Sequence, residues 1–300
     1  MIECYPNKGL GNICKLFGKS RQAWYKIQQY KEIETMQDQI IIDLVKPIKI
    51  RLPHLGVRKV YERIESALID HRIKIGRDKL FNLLSSNGLL VKRKRLGAYT
   101  TNSNHRFRKY PNLIIEKTIE YPESVWVCDI TYIRVKAGFN YLSLITDAYS
   151  RKIVGYCLSR NLDTKGCINA VSMALNSRIY PERKLIHHSD RGIQYCSRQY
   201  VDLLNESDIL ISMTKNGNPY ENAIAERVNG ILKTEHRLSE VFENHLEANK
   251  VVEVEIDKYN NERPHASCDY LTPSKAHLIS GVLKKRWKSY PYKKQDYEQG

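Results

Sequence analysis

From residue 124 onward, apolar residues come in short runs rich in Val, Ile, Thr and Tyr, broken by turn residues, a pattern that predicts strands. The runs cover 124–133, 141–146, 152–158, 184–188 and 209–213. Between and after them the spacing becomes helical, over about 164–177, about 197–205 and from about 221. Upstream, Val57, Val60, Tyr61, Ile64 and Leu68 fall on one helical face, and Leu80, Phe81 and Leu84 do so again before Asn87-Gly88, where Gly88 is a good helix stop. Gly76 lies between these two short amphipathic helices. Further upstream the signal is weaker: Ile13, Leu16, Phe17, Trp24 and Ile27 recur at roughly helical spacing, consistent with a helical arm over about 9–44.

Strand, strand, strand, helix, strand, helix, strand, helix is the order of a ribonuclease-H-like α/β fold. Helices on both faces of the sheet account for strands that read as nearly continuous apolar runs. The expected organisation is a helical arm over 1–52, a helix-turn-helix-like DNA-binding unit over 53–98 and a basic linker over 99–121. A catalytic core over 122–282 and a basic tail over 283–300 complete it. A chain of 300 residues accommodates several such units.

Charge then narrows the partner. The formal net charge is +16, and residues 1–120 hold 24 Lys+Arg against 11 Asp+Glu, so the excess is N-terminal. Clustered cations bind a phosphate backbone by displacing its counterions, and DNA is the expected partner. The run Lys92-Arg93-Lys94-Arg95 directly follows the two short helices; a helical hairpin with a solvated charge run is the plainer alternative. Seven scattered cysteines without a CxxC pair read as reduced thiols, not as a zinc site or a disulfide framework. With no signal-peptide pattern and no membrane-length apolar run, a cytoplasmic protein is expected.

Three carboxylates carry the candidate chemistry. Asp129 lies inside the apolar strand Trp126-Val127-Cys128-Asp129-Ile130-Thr131-Tyr132-Ile133, where a charge is costly unless something pairs with it, and a metal ion is a natural partner. Asp190 ends the fourth strand, in His188-Ser189-Asp190-Arg191-Gly192, and sites in open α/β sheets form at the carboxyl ends of strands. Glu226 lies on the helix that follows the fifth strand. At about 100° per residue, Val228 and Ile231 fall near Ile224, while Asn222, Glu226, Asn229 and Lys233 gather on the opposite face. If the apolar stripe docks on the sheet, Glu226 reaches the two aspartates only if the helix is tilted or begins at the sheet edge; alone, its face reads equally well as solvated surface. The combination favours chemistry, since phosphodiester cleavage uses two divalent ions held by hard oxygen ligands from separate elements.

These residues carry a resemblance to the OrfB-type transposases of the IS-three insertion-sequence group, relatives of retroviral integrases. Between Asp129 and Asp190 lie 60 residues and between Asp190 and Glu226 lie 35, and the second gap is the hallmark of that group. So are Trp126 to Ile133, Ile153-Val154-Gly155, Gln194-Tyr195, Asn222-Ala223, Leu232-Lys233-Thr234-Glu235 and Tyr259-Asn260 with Arg263-Pro264-His265. Cys128 stands where a Thr is common, and Ile193 where a small residue is frequent. The resemblance implies an integrase catalytic core in which Asp129, Asp190 and Glu226 bind two Mg2+ ions, with Mn2+ able to substitute. It implies DNA contacts by Lys233 and Asn222, and a second helix-turn-helix unit over 54–95. It further implies hydrolysis at the element's 3′ ends followed by strand transfer, a homo-oligomer on DNA, and an upstream OrfA-type protein, fused by frameshifting, since this chain starts at what looks like the OrfB beginning. A nuclease on the same fold, or a DNA-binding regulator with relic acids, are the rival readings. Beside the acids, His187 and His188 are either ligands or sheet-bonded. Asp147 reads as a turn residue with Ser150-Arg151, Arg263-Pro264-His265 as a DNA contact or a fixed turn, and Trp24 and Trp126 as core.

Overall fold

The computed structural model describes residues 10–91, 108–115, 117–215 and 222–284. The chain divides into two compact units, Met1–Val91 and Lys92–Gly300. Among the described residues no helix is long and apolar enough to cross a membrane.

In the first unit, α1 (Leu10–Leu16) precedes α2 (Arg21–Arg51), whose cap, Ser20, accepts a hydrogen bond from the Ala23 N–H at 3.0 Å. The helix runs past about residue 44, where the helical spacing read from the sequence ends, to Arg51. Pro47 does not stop it: Pro47 and Asp43, the residue whose carbonyl loses its partner, are both exposed, so water can take the freed bond. Ile41, Ile42, Val45 and Leu52 share one core with Val60, Ile64 and Leu68 of α3 (Val57–Asp70) and Leu80 and Leu84 of α4 (Arg77–Ser86). A division at residue 52 therefore cuts through a packed core. Gly88, at φ +67°, ends α4 in the left-handed conformation that a glycine adopts without strain. Trp24, expected in the core, is instead partly exposed and meets Tyr25 edge-on with ring centroids 5.0 Å apart.

The second unit is built on a sheet of order β3-β2-β1-β4-β5. Strands β1 (Val125–Val135), β2 (Gly138–Asp147) and β3 (Ile153–Ser159) are antiparallel. Strands β4 (Ile186–Ser189) and β5 (Leu210–Met213) run parallel to β1. This is the arrangement expected of a ribonuclease-H-like core. The two-residue β6 (Val241–Phe242) pairs with the far end of β1.

Side chains alternate across the sheet. Trp126 and Cys128 pack with Ala170 and Ala174 of α5 (Thr164–Asn176) and Tyr200 and Leu204 of α6 (Arg198–Glu206). On the other face Ile133, Leu142 and Leu144 pack with Val228, Ile231 and Leu232 of α7 (Ala223–Glu235) and Val252, Ile256 and Tyr259 of α8 (His245–Asn261). Gly155 lets α5 approach β3: a Cβ there would collide with the Ala170 carbonyl oxygen and stand 2.9 Å from the Ala174 Cβ. The chain then reaches α9 (Pro273–Ala276), started by Thr272 and Pro273.

Candidate active site

The register of β1 and β4 ends with Cys128 opposite Ser189, so Asp190 follows opposite Asp129, one position past the end of β4. Parallel neighbours point to the same face, and adjacent strands lie about 4.8 Å apart. That face is the one α7 covers. Asp190 Oδ1 accepts the Gly192 N–H at 2.9 Å, closing a turn that holds the carboxylate at the strand end. Asp129 accepts its neighbour's Ile130 N–H on Oδ1 at 2.9 Å and the Asn229 amide on Oδ2 at 2.6 Å. Burial, and next to it the charge of Asp190, pushes the Asp129 carboxyl up to about 7; the two hydrogen bonds pull the other way, and Glu226 adds to the rise.

Helix α7 brings its polar face, not only its apolar stripe, to the sheet. Ala225, Val228, Ile231 and Leu232 are buried, as the stripe requires, but so are Asn222 and Asn229. The reason is where the helix starts: Asn222, its cap, donates Nδ2 to the Cys128 carbonyl at 3.2 Å and pins the first turn beside Asp129. The solvated-surface reading of this face therefore fails for Asn222 and Asn229. Glu226, on the first turn, is exposed, yet close enough for its charge to act on Asp129. Lys233, two turns on, is half-buried; burial lowers its pKa and the charge of Asp129 opposes that shift.

Thus the fold places Asp129 and Asp190 side by side and brings Glu226 within electrostatic range. Among the described residues no three His, Cys, Asp or Glu side chains close into a ready-made cage for one ion. The residues nevertheless fit hard divalent cations. Two carboxylates are neighbours across the strands, and the carbonyl oxygens of Asn222 and Asn229 are buried without a hydrogen-bond partner. Two softer donors, Cys128 and His187, are turned to the other face. Cys128 projects to the opposite face, its Sγ 2.8 Å from His187 Nε2, which also meets the Tyr200 hydroxyl at 2.7 Å. Burial lowers His187 to about 3, and His188 Nδ1 bonds Ser212 Oγ at 2.8 Å, so both histidines belong to the sheet.

Other expectations resolve the same way. Asn222, expected to touch DNA, is buried, and its amide donor is committed to the Cys128 carbonyl because the helix start needs that tether. Lys92, Arg93, Lys94 and Arg95 lie outside the described residues. Asp147 closes its turn by accepting from the Ser150 N–H and hydroxyl at 2.8 and 2.7 Å. Arg263 is buried and forks onto Glu235 at 2.8 and 2.9 Å, a structural tie between the ends of α7 and α8, not a DNA contact. Asn229, to which sequence reasoning assigned no role, is the amide that bonds Asp129. Its signal was present in its position, three residues after Glu226 and four before Lys233 on one helix face.

Two segments of the chain, residues 120–219 and 207–273, match family models described as the integrase core domain. The chain is 35% identical over 266 residues to the insertion element IS600 31 kDa protein of Shigella sonnei, covering 87% of this chain and 96% of that one. It is 32% identical to the transposase for insertion sequence element IS904 of Lactococcus lactis, covering 71% and 90% of the two chains. The chain belongs to the IS3-type insertion-sequence transposases. Transposase InsF of IS3A from Escherichia coli is a further relative, 28% identical over 87% of this chain and 91% of its own. Membership of this family makes the protein a DDE polynucleotidyl transferase acting in transposition.

Proposed function

We propose that Asp129, Asp190 and Glu226 are the carboxylates of this transposase that bind metal and carry out both hydrolysis at the element's 3′ ends and strand transfer. The observation that supports this most is the pairing of Asp129 and Asp190 across β1 and β4, with Asp129 pushed up to about 7 by burial and its neighbour. Two like charges held this close repel each other, and divalent ions would relieve that repulsion. Two Mg2+ ions, with Mn2+ as a substitute, would be held by the three acids, and when bound they activate the attacking oxygen and stabilise the leaving one.

The chain's own residues do the rest. The strand register fixes the two aspartates relative to each other, while the cap at Asn222 fixes where Glu226 enters. Lys233, on the same helix face, is suited to a DNA phosphate next to the reacting one. The first unit presents Arg72, Lys74 and Arg77 on exposed positions around the start of α4, consistent with helix-turn-helix-like binding of the element's ends; Lys92, Arg93, Lys94 and Arg95 would extend that contact along the backbone. Joining two ends calls for two copies on one DNA complex, and recognition of the ends would be completed by the upstream OrfA-type protein as a fusion.

The test is a reaction on a supercoiled plasmid bearing the element's ends, with and without Mg2+, comparing wild type, Asp190→Asn and the fused form. Joined strands that need Mg2+ and vanish in the variant are expected. Cleavage without joining would indicate a nuclease, and binding without cleavage in every form would indicate a regulator.

A further inference from the structure

Asn229 lies on the α7 face turned towards the two aspartates, seven per cent exposed, with Nδ2 donating to Asp129 Oδ2 at 2.6 Å. Its other corner, Oδ1, is buried and has no hydrogen-bond partner. The amide cannot be turned round to relieve this, because Oδ1 would then face a carboxylate oxygen that offers no proton while Asp129 is ionised. Asn222, seven residues earlier on the same face, repeats the pattern: its Nδ2 is bound to the Cys128 carbonyl and its Oδ1 is buried without a partner. Buried acceptors left open beside paired carboxylates mark a place that a hydrated cation completes, since its bound waters are strong donors.

We propose that Asn229 is a positioning residue of the metal site. Through Nδ2 it fixes the rotation of the Asp129 carboxylate, and through Oδ1 it receives a hydrogen bond from water on the ion that Asp129 holds. The proposal rests on the reading of Asp129 and Asp190 as metal ligands. Asn229 differs from the three acids in its expected signature, because it orients a ligand and a water without being the source of the charge.

The experiment measures Mn2+ binding to the DNA-free full chain by calorimetry, for wild type, Asp129→Asn, Asn229→Ala and Asn229→Leu. Leucine keeps the branching of asparagine while removing its polar atoms, alanine removes the group without adding bulk, and circular dichroism checks that each variant is folded. Loss of Asn229 is expected to weaken Mn2+ binding by about 10- to 100-fold, the usual effect of removing an outer-shell partner. In plasmid cleavage the Mg2+ concentration for half-maximal rate should rise by a similar factor, with most of the maximal rate recovered at saturating metal. A purely structural role would lower the active fraction without moving the metal dependence. Folded Asn229 variants that bind Mn2+ within twofold of wild type, while Asp129→Asn does not, would overturn the role of Asn229 alone. Normal binding by Asp129→Asn would overturn the ligand assignment beneath it.

Discussion

Glu123 and Asp129 lie six residues apart at and just inside the start of β1, and both are held within the second unit, yet they stand at opposite ends of the carboxylate range. Burial would raise Glu123, but it is outweighed by hydrogen bonds from His277, the Ile179 and Tyr180 N–H groups and Arg178, which hold Glu123 at about 2. The geometry is saturated: Arg178 Nε at 3.0 Å, Ile179 N–H at 2.7 Å and Tyr180 N–H at 3.2 Å, with His277 Nε2 at 3.5 Å. Around Asp129, by contrast, the charge that shifts it most is another carboxylate, and the amide oxygens of Asn222 and Asn229 are buried without a hydrogen-bond partner. A buried acid whose partners are complete stabilises the fold. One whose partners are incomplete stores a demand for cations, which the proposed metal site would draw on.

The sharpest break in the comparison is Asp190→Asn. Strand cleavage on the end-bearing plasmid should fall by about 10³-fold or more, while the melting temperature of the metal-free variant stays level or rises, because a repulsive neighbour of Asp129 is gone. Glu123→Gln should do the reverse. It leaves Arg178 buried without its charge partner at a cost of about 3–5 kcal/mol, read by urea denaturation; a loss under 1 kcal/mol would show that the cluster is not the anchor described.

The pH dependence of stability divides the two sites further. Asp129 is raised above its ordinary value of 3.8, so the fold binds its proton more tightly than the unfolded chain does. Its contribution to stability therefore declines as pH rises from about 4 to about 7. Glu123 is lowered from 4.5, so its contribution is present above that value and is lost as pH falls towards about 2. Melting curves in EDTA should thus decline from pH 5 to pH 8, and saturating Mg2+ should restore much of the difference at pH 8. Identical curves with and without metal would count against the cation-deficient site. The smallest effect is expected from Lys233→Ala, which should weaken end binding and reduce the slope of log affinity against log salt by about 0.9 if one phosphate contact is lost.

Much of this was legible in the chain. Short apolar runs located the five main strands, with Asp129 inside the first, Asp190 at the end of the fourth and Glu226 on the helix after the fifth; in the structure Asp190 lies one position past β4. What escaped was tertiary. The 31 residues of α2 run through Pro47 because that turn faces solvent, which a proline rule applied to sequence cannot see. The orientation of α7 stayed open between a solvated face and one that meets the aspartates, because a helical wheel cannot show the tether from Asn222 to the Cys128 carbonyl that turns this face towards the strand. Tyr259-Asn260 and Arg263 look as distinctive in sequence as the acids, but they are fasteners. Asn260 grips the Ile153 N–H and carbonyl, both at 2.9 Å, and Tyr259 reaches the Arg151 carbonyl at 2.9 Å.

The thiol of Cys128 sits directly before the central aspartate, fully buried and locked against His187, with burial foremost among the causes that raise its pKa well above the ordinary thiol value. Alkylating reagents attack thiolates that solvent can reach, and this sulfur is neither ionised nor reachable while β1 and β4 stay joined. Modification of Cys128 therefore has to wait for the sheet to open, and its slow rate becomes a built-in clock that counts those openings.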